Sequence, residues 1–371
     1  MRKLSFDIFC RVVDNFGDIG VCWRLSRQLA AAPLEHPVRL WIDDLCSFAR
    51  IEPEVDRHAA QQTVKGVDIV QWTDPPPQLL PMDVVIEAFG CDPPPEFIDS
   101  MARRDSLWIN LEYLSAEKWV QSCHALPSVQ SNGLRKAFFF PGFTEGTGGL
   151  LREPELLARR DSWRADPALR DALLRRIGLP EVQIGMLRQG ARQVLLFSYP
   201  DAPAQALLEA LQRQDRKSVI LVPSEVCPAL ERGQHGAVHV HEIPFVDQDG
   251  FDRLLWSSDL NCVRGEDSLV RALWAGRPLL WQIYPQHDDA HMTKLEAWLA
   301  LSPFGPEIKR LMGYWNTGNT TDFARLLNQE LRTENWTDWQ GAAASWAASL
   351  AAQTDLAQSL AGFCAQTGRK S

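Results

Sequence analysis

One rhythm, repeated twice, limits what this chain can fold into. Near the start, "LSFDIFCRVV", "VRLWID", "VDIVQW", "DVVIEAF" and "SLWINLEYL" read as short buried strands, with "DIGVCWRLSRQLAAA" and "PPPEFIDSMARR" as helices between them. Apolar runs of strand length joined by helix-sized connections imply a parallel sheet covered by helices, because parallel neighbours need long crossovers. The rhythm restarts at "QVLLFSYP" and runs through "KSVILVP", "VHVHEIP", "DLNCVRG" and "PLLWQIYP". Here "AQALLEALQRQ", "FDRLLWSS", "SLVRALWAG" and "HDDAHMTKLEAWLAL" supply the helices. The pattern gives an α/β chain of two doubly wound domains. A length of 371 residues agrees, since a single hydrophobic core rarely keeps growing that far.

The charged, helix-prone "REPELLARRDSWRADPALRDALLRRIGLP" separates the two series and reads as a bridge. This places the first domain at 1–186 and the second at 187–353, with a last helix at 354–371 packing back on the first domain. Ligands of doubly wound sheets lie beyond the carboxyl ends of the strands, so two facing domains are expected to enclose a cleft.

Composition removes several function classes. Met1 to Val13 is interrupted by Lys3, Asp7 and Arg11, unlike a signal peptide or membrane span, so a cytoplasmic protein without a membrane partner is expected. A net charge of −9 argues against a nucleic-acid partner, whose phosphates need clustered Lys and Arg, and suits a basic one. The eight cysteines contain no C-x-x-C pair, which favours reduced structural thiols over a disulfide or zinc site.

The residues just after strands are the candidates for chemistry. After the first strand come Asp14, Asn15, Gly17 and Asp18, which read either as a turn with Asp18 capping a helix from Ile19, or as carboxylates that hold a cationic acceptor. The fingerprint G-x-G-x-x-G is absent there. In the second domain, "VRGEDS" sets Arg264, Glu266, Asp267 and Ser268 at a helix start, either a diphosphate site or an ordinary helix capped by Asp267 or Ser268. Upstream, Phe245 and Phe251 flank a loop with Gln248, suited to a flat base and its sugar, although such aromatic pairs are more often core. Downstream, Tyr284 precedes Asp288, Asp289 and His291, but His287 and His291 lack the H-E-x-x-H pattern and no metal is expected. Glu112 and Tyr113 end a first-domain strand and could line the acceptor side.

Taken together, "FDIFCRVVDNFGDIGVCWRLSRQLA", "INLEYLSAE" and "PFVDQDGFDRLLWSSDLNCVRGEDSLVRALWAGRPLLWQIYPQ" closely resemble the EarP family, the bacterial protein-arginine rhamnosyltransferases of translation elongation factor P. The resemblance runs from near the first residue to the C-terminal helices. It implies a GT-B glycosyltransferase of two Rossmann-like domains, inverting and without a metal or other cofactor. Such an enzyme moves L-rhamnose from dTDP-β-L-rhamnose to an arginine of its partner, elongation factor P. By match to the family motif, activity depends on Asp14, Asp18 and Glu266. The same match sets Phe245 and Phe251 around thymine, Gln248 at the ribose, and Arg264, Asp267, Ser268 and Tyr284 near the diphosphate. Asn15, Glu112 and Tyr113 are acceptor-side candidates. Two other readings remain at this level: a GT-B enzyme using another nucleotide sugar and a small-molecule acceptor, or a noncatalytic binding module.

Overall fold

A computed structural model describes residues 3–13, 16–286 and 290–367. Of the candidates above, Asp14, Asn15, His287, Asp288 and Asp289 lie outside the described residues. The chain divides into two compact units, 1–154 with 350–371, and 155–349.

The first unit carries β1 (Phe6–Cys10), α1 (Gly17–Ala30), β2 (Val38–Ile42), α2 (Leu45–Ile51), β3 (Gln61–Val64), β4 (Val67–Gln71), β5 (Val84–Ala88), α3 (Pro95–Arg104), β6 (Leu107–Leu111), α4 (Trp119–Cys123), β7 (Pro127–Val129) and β8 (Arg135–Phe139). Its sheet runs β3-β4-β2-β1-β5-β6-β8-β7, with β3 against β4 and β7 against β8 antiparallel and every other pair parallel. β1 and β5 are buried along their whole length, so apart from Asp7 and Glu87 their sequences read as apolar runs rather than as alternations. The chain winds outward from β1 in both directions, so the point where strand order reverses lies between β1 and β5.

Two carboxylates sit inside these central strands, and each is paired. Asp7 receives Nε and Nη2 of Arg39 at 2.6 and 2.9 Å, Nε1 of Trp41 at 2.8 Å and the Met82 amide at 2.8 Å. Glu87 pairs with Lys136 and accepts from Trp108 Nε1 at 3.1 Å. Burial nonetheless holds the Glu87 carboxyl above its ordinary range, with Lys136 pulling the other way.

The second unit carries α5 (Leu156–Ala165), α6 (Pro167–Arg176), α7 (Glu181–Arg188), β9 (Arg192–Leu196), α8 (Ala204–Gln212), β10 (Ser218–Pro223), β11 (Gly233–His235), β12 (Val238–Ile243), α9 (Gln248–Ser257), β13 (Leu260–Arg264), α10 (Gly265–Ala275), β14 (Leu279–Gln282), α11 (Ala290–Leu301), α12 (Pro306–Thr317) and α13 (Thr320–Glu330). α14 (Thr333–Ala351) closes this unit and α15 (Leu356–Thr367) belongs to the first. The second sheet runs β11-β12-β10-β9-β13-β14, parallel except for β11, and its strand order reverses between β9 and β13.

The compact division falls at 154/155, whereas the sequence pattern sets the boundary at 186/187. α5 is tied to the second unit by hydrogen bonds that periodicity does not record. Arg160 donates to the Trp274 carbonyl at 2.6 Å, and Arg164 donates to the carbonyls of Trp256 and Ala275. These guanidinium groups satisfy carbonyls at the ends of α9 and α10, which have no partner within their own helices. α15 packs against α1, and its Phe363 meets Phe139 at 5.7 Å. Among the described residues no helix is long and apolar enough to cross a membrane.

Candidate functional site

At the carboxyl edge of the first sheet, α1 begins earlier than the sequence suggests. Its N-cap is Phe16, whose side chain makes no capping bond, and the first helical hydrogen bond runs from the Gly20 amide to the Phe16 carbonyl at 2.9 Å. Asp18 therefore does not cap a helix starting at Ile19. It lies within the first turn, buried, and its Oδ2 accepts the Val13 amide at 2.8 Å. That bond ties Val13 to the first turn of α1 and restrains the carboxylate. An acid in this turn also sits at the positive end of the helix dipole.

Val13 links Asp18 to a cavity of about 280 Å³ lined by Arg11, Phe89, Gly90, Asp92 and Tyr113 as well. Tyr113 stacks on Phe89 with centroids 4.4 Å apart and planes 15° apart. The loop after β5 is bent to present this ring: Phe89, Gly90 and Asp92 all have positive φ, at 59°, 66° and 48°. For Phe that backbone conformation is costly, and such strain clusters at sites where position matters. Glu112, next to Tyr113, accepts from Asn110 Nδ2 at 2.7 Å. The thiols nearby are poor nucleophiles. Burial raises Cys91, and Cys10 is raised by its hydrogen bond with Cys22 and by burial.

The carboxyl edge of the second sheet is built from rings and a guanidinium. Phe251, in α9, meets Phe197, just past β9, edge-on at 5.1 Å and 63°. The Arg264 guanidinium lies 4.7 Å from the Phe197 ring centre and 4.8 Å from that of Tyr199. Tyr199 in turn meets Tyr284 at 5.8 Å and 75°. The Tyr199 amide donates to Gln282 Oε1 at 2.8 Å, and Gln282 Nε2 donates to Asp201 at 3.0 Å, so β9 and β14 hold the loop between them. Gln248 is buried in the first turn of α9, which Asp247 caps through the Gly250 amide at 2.7 Å. Phe245 is half-buried in the loop before that turn.

α10 starts without a side-chain cap. Its N-cap is Arg264, and Gly265 enters the helix at φ 62°, a region open to glycine and strained for other residues. Neither Asp267 nor Ser268 is the cap that the sequence allows. Both lie half-buried inside the first turn with Glu266. The Gly265 carbonyl is pinned by Trp281 Nε1 at 2.7 Å. A helix N-terminus with an adjacent arginine is an anion site by its own physics.

The structure thus gathers Phe251, Arg264 and Tyr284 into one cluster and adds Phe197, Tyr199, Asp201 and Gln282, which the sequence reading passed over. The signal was present: "FSYPD" directly follows β9, where ligand loops of such sheets occur. Among the described residues no three His, Cys, Asp or Glu side chains gather as metal ligands.

A model of the elongation factor P (EF-P) rhamnosyltransferase family EarP matches residues 6–365. The chain belongs to the EarP family. A protein-arginine rhamnosyltransferase of Pseudomonas putida is 47% identical over 97% of this chain and 98% of its own. That of Neisseria meningitidis serogroup B is 35% identical over 96% of both chains. A solved structure describing the basis of EarP-mediated arginine glycosylation of EF-P has 33% identity and a TM-score of 0.65, covering 97% of this chain and 98% of that one. A UDP-glucose:anthocyanidin 3-O-glucosyltransferase solved with UDP, at 11% identity and a TM-score of 0.52 over 98% and 99%, shares the fold alone. The EarP chain thus has the GT-B glycosyltransferase fold.

Proposed function

We propose that this chain transfers L-rhamnose from dTDP-β-L-rhamnose to an arginine side chain of elongation factor P, with inversion and without a metal ion. Beyond family membership, the observation that carries this reading is the Arg264 cluster. A guanidinium stacked on Phe197 and Tyr199, beside Phe251 and the uncapped start of α10, offers ring surface for a thymine and positive charge for a diphosphate.

In this reading Phe245 and Phe251 hold the base and Gln248 the ribose. Charge builds on the leaving diphosphate as the sugar gains oxocarbenium character. Arg264, Tyr284, Ser268 and the first amides of α10 stabilise that charge, which is the task a metal performs in other transferases. Glu266 and Asp267, in the same turn, order the loop or bind donor hydroxyls.

The acceptor is harder to activate. A guanidinium has a pKa above about 12 and delocalised lone pairs, while a carboxylate near pKa ~4 cannot deprotonate it beforehand. The N–H proton therefore passes to the base as the carbon–nitrogen bond forms. Asp18, held by the Val13 amide, takes that proton, and Asp14 orients the remaining guanidinium nitrogens. Asn15, Glu112 and Tyr113 line the acceptor's path, with the Phe89–Tyr113 stack offering a face for a flat cation. In-line displacement sends nitrogen to the face opposite the leaving phosphate and yields the α-linked sugar.

The test is to incubate the chain with dTDP-β-L-rhamnose and elongation factor P and weigh the factor intact. One added deoxyhexose is expected. An unchanged mass, with a rhamnosylated small molecule formed instead, would assign the fold to another acceptor.

A further inference from the structure

The residues discussed so far lie past the carboxyl ends of strands. At the opposite edge of the second sheet is a cavity of about 350 Å³, formed where the α5–α6 junction, the ends of α7 and α9, and the loop between α10 and β14 converge. Arg164, Arg170, Arg188 and Arg277 line it, against the single carboxylate of Asp166. That is a local reversal in a chain of net charge −9.

Part of this charge has structural work. Arg164 caps helix ends as described, Arg188 donates to Asp171 at 2.7 Å, and Asp166 caps α6 through the Ala168 amide at 2.9 Å. Arg170 has a long ion pair, its Nε 3.9 Å from the Asp171 carboxylate that Arg188 already holds, and Arg277 remains. Each has a buried Nε that makes no hydrogen bond. Arg277 forms no ion pair among the described residues. Buried donors without hydrogen-bond partners are costly to keep. Burial first, then the charges of Arg277 and Arg160, lowers the Arg164 guanidinium to about 9. The rest of the wall is apolar: Leu187 and Trp256 are buried, and Trp163 meets Trp256 at 6.0 Å.

We propose that this cavity is a second binding site, for a small phosphate-bearing organic molecule. Its phosphate bridges Arg170 and Arg277, and its carbon skeleton rests on Trp163 and Leu187. Phosphate is favoured over carboxylate because the four lining arginines face only Asp166 and the neighbouring Asp171, an excess of two positive charges that a dianion balances and one carboxylate does not. Planar guanidinium donors also match phosphate oxygens pairwise. Since the cavity lies at the sheet edge opposite Arg264, occupancy here and at the donor cluster is separable.

Thermal unfolding of the full chain with inorganic pyrophosphate, at fixed ionic strength, tests this. A saturable rise of a few degrees is expected, with an apparent Kd of roughly millimolar or tighter. In Arg264→Gln, which removes the arginine of the donor cluster, a rise should persist, and adding Arg170→Gln and Arg277→Gln to that variant should abolish it. No rise in Arg264→Gln, or a rise surviving in the triple variant, would overturn the proposal. Should the triple variant not fold, amide exchange of Arg264→Gln decides. Pyrophosphate should slow exchange across 163–170 and 256–257, and unchanged rates there would reject the site.

Discussion

At the carboxyl edge of the first sheet the positioned charge is a carboxylate, Asp18, held by the Val13 amide. At the corresponding edge of the second sheet it is a guanidinium, Arg264, held over two aromatic rings. The two edges share a topology and carry opposite chemistry. Placed on one edge, an aspartate and an arginine would pair and neutralise each other. Kept on separate sheets, each is available, in the proposed reading, to a substrate of opposite charge. The supports differ as well. Stacked rings and the glycine turn at Gly265 shape the edge of the second sheet, while positive φ at Phe89 stores strain at the edge of the first.

This contrast can be broken by substitution. The largest effect is expected from Asp18→Asn: turnover should fall on the order of 10²–10⁴-fold, while calorimetric dTDP affinity stays within about twofold. Loss of dTDP binding together with turnover would show that the carboxylate does not serve the acceptor alone. Arg264→Gln should act in the other direction, weakening dTDP binding roughly 10- to 100-fold through loss of a charged contact to phosphate. Equal affinity in the two proteins would leave the guanidinium a merely structural partner of the rings. Gly265→Ala places a Cβ at φ 62° and should cost about 1–2 kcal/mol of stability in urea unfolding. A neutral result would mean the turn relaxes freely and is not what holds the start of α10. The smallest effect is Phe251→Ala, about 0.5–1.5 kcal/mol of dTDP affinity by titration, with the fold retained. Undiminished affinity would remove the stacking assignment.

The central strands were legible in the sequence because burial on both faces leaves apolar runs with few polar breaks, as in β10, "SVILVP", and in β1, where Asp7 alone interrupts. The short edge strands β3, β7 and β11 were not, since "QQTV", "PSV" and "GQH" carry little apolar signal and are defined by their partners. Both helix starts at the candidate site were misplaced for a common reason. Gly17 and Gly265 enter their helices ahead of the polar residues that resemble caps. The cap rule favours Asp18, Asp267 and Ser268, but backbone geometry one to three residues upstream decides. Phe197 and Tyr199 read as the tail of a strand, and only the fold brings them to Arg264. The bridge helix α5 is likewise assigned by arginine bonds to distant carbonyls, a tertiary fact without local periodicity.

The most direct measurement is the anomeric configuration of the product, read by NMR on the modified arginine after reaction with dTDP-β-L-rhamnose. A single displacement between a carboxylate-held guanidinium and an arginine-held diphosphate predicts an α-rhamnosyl linkage to an arginine nitrogen. A β-linked sugar, or rhamnose on any other side chain, would contradict it.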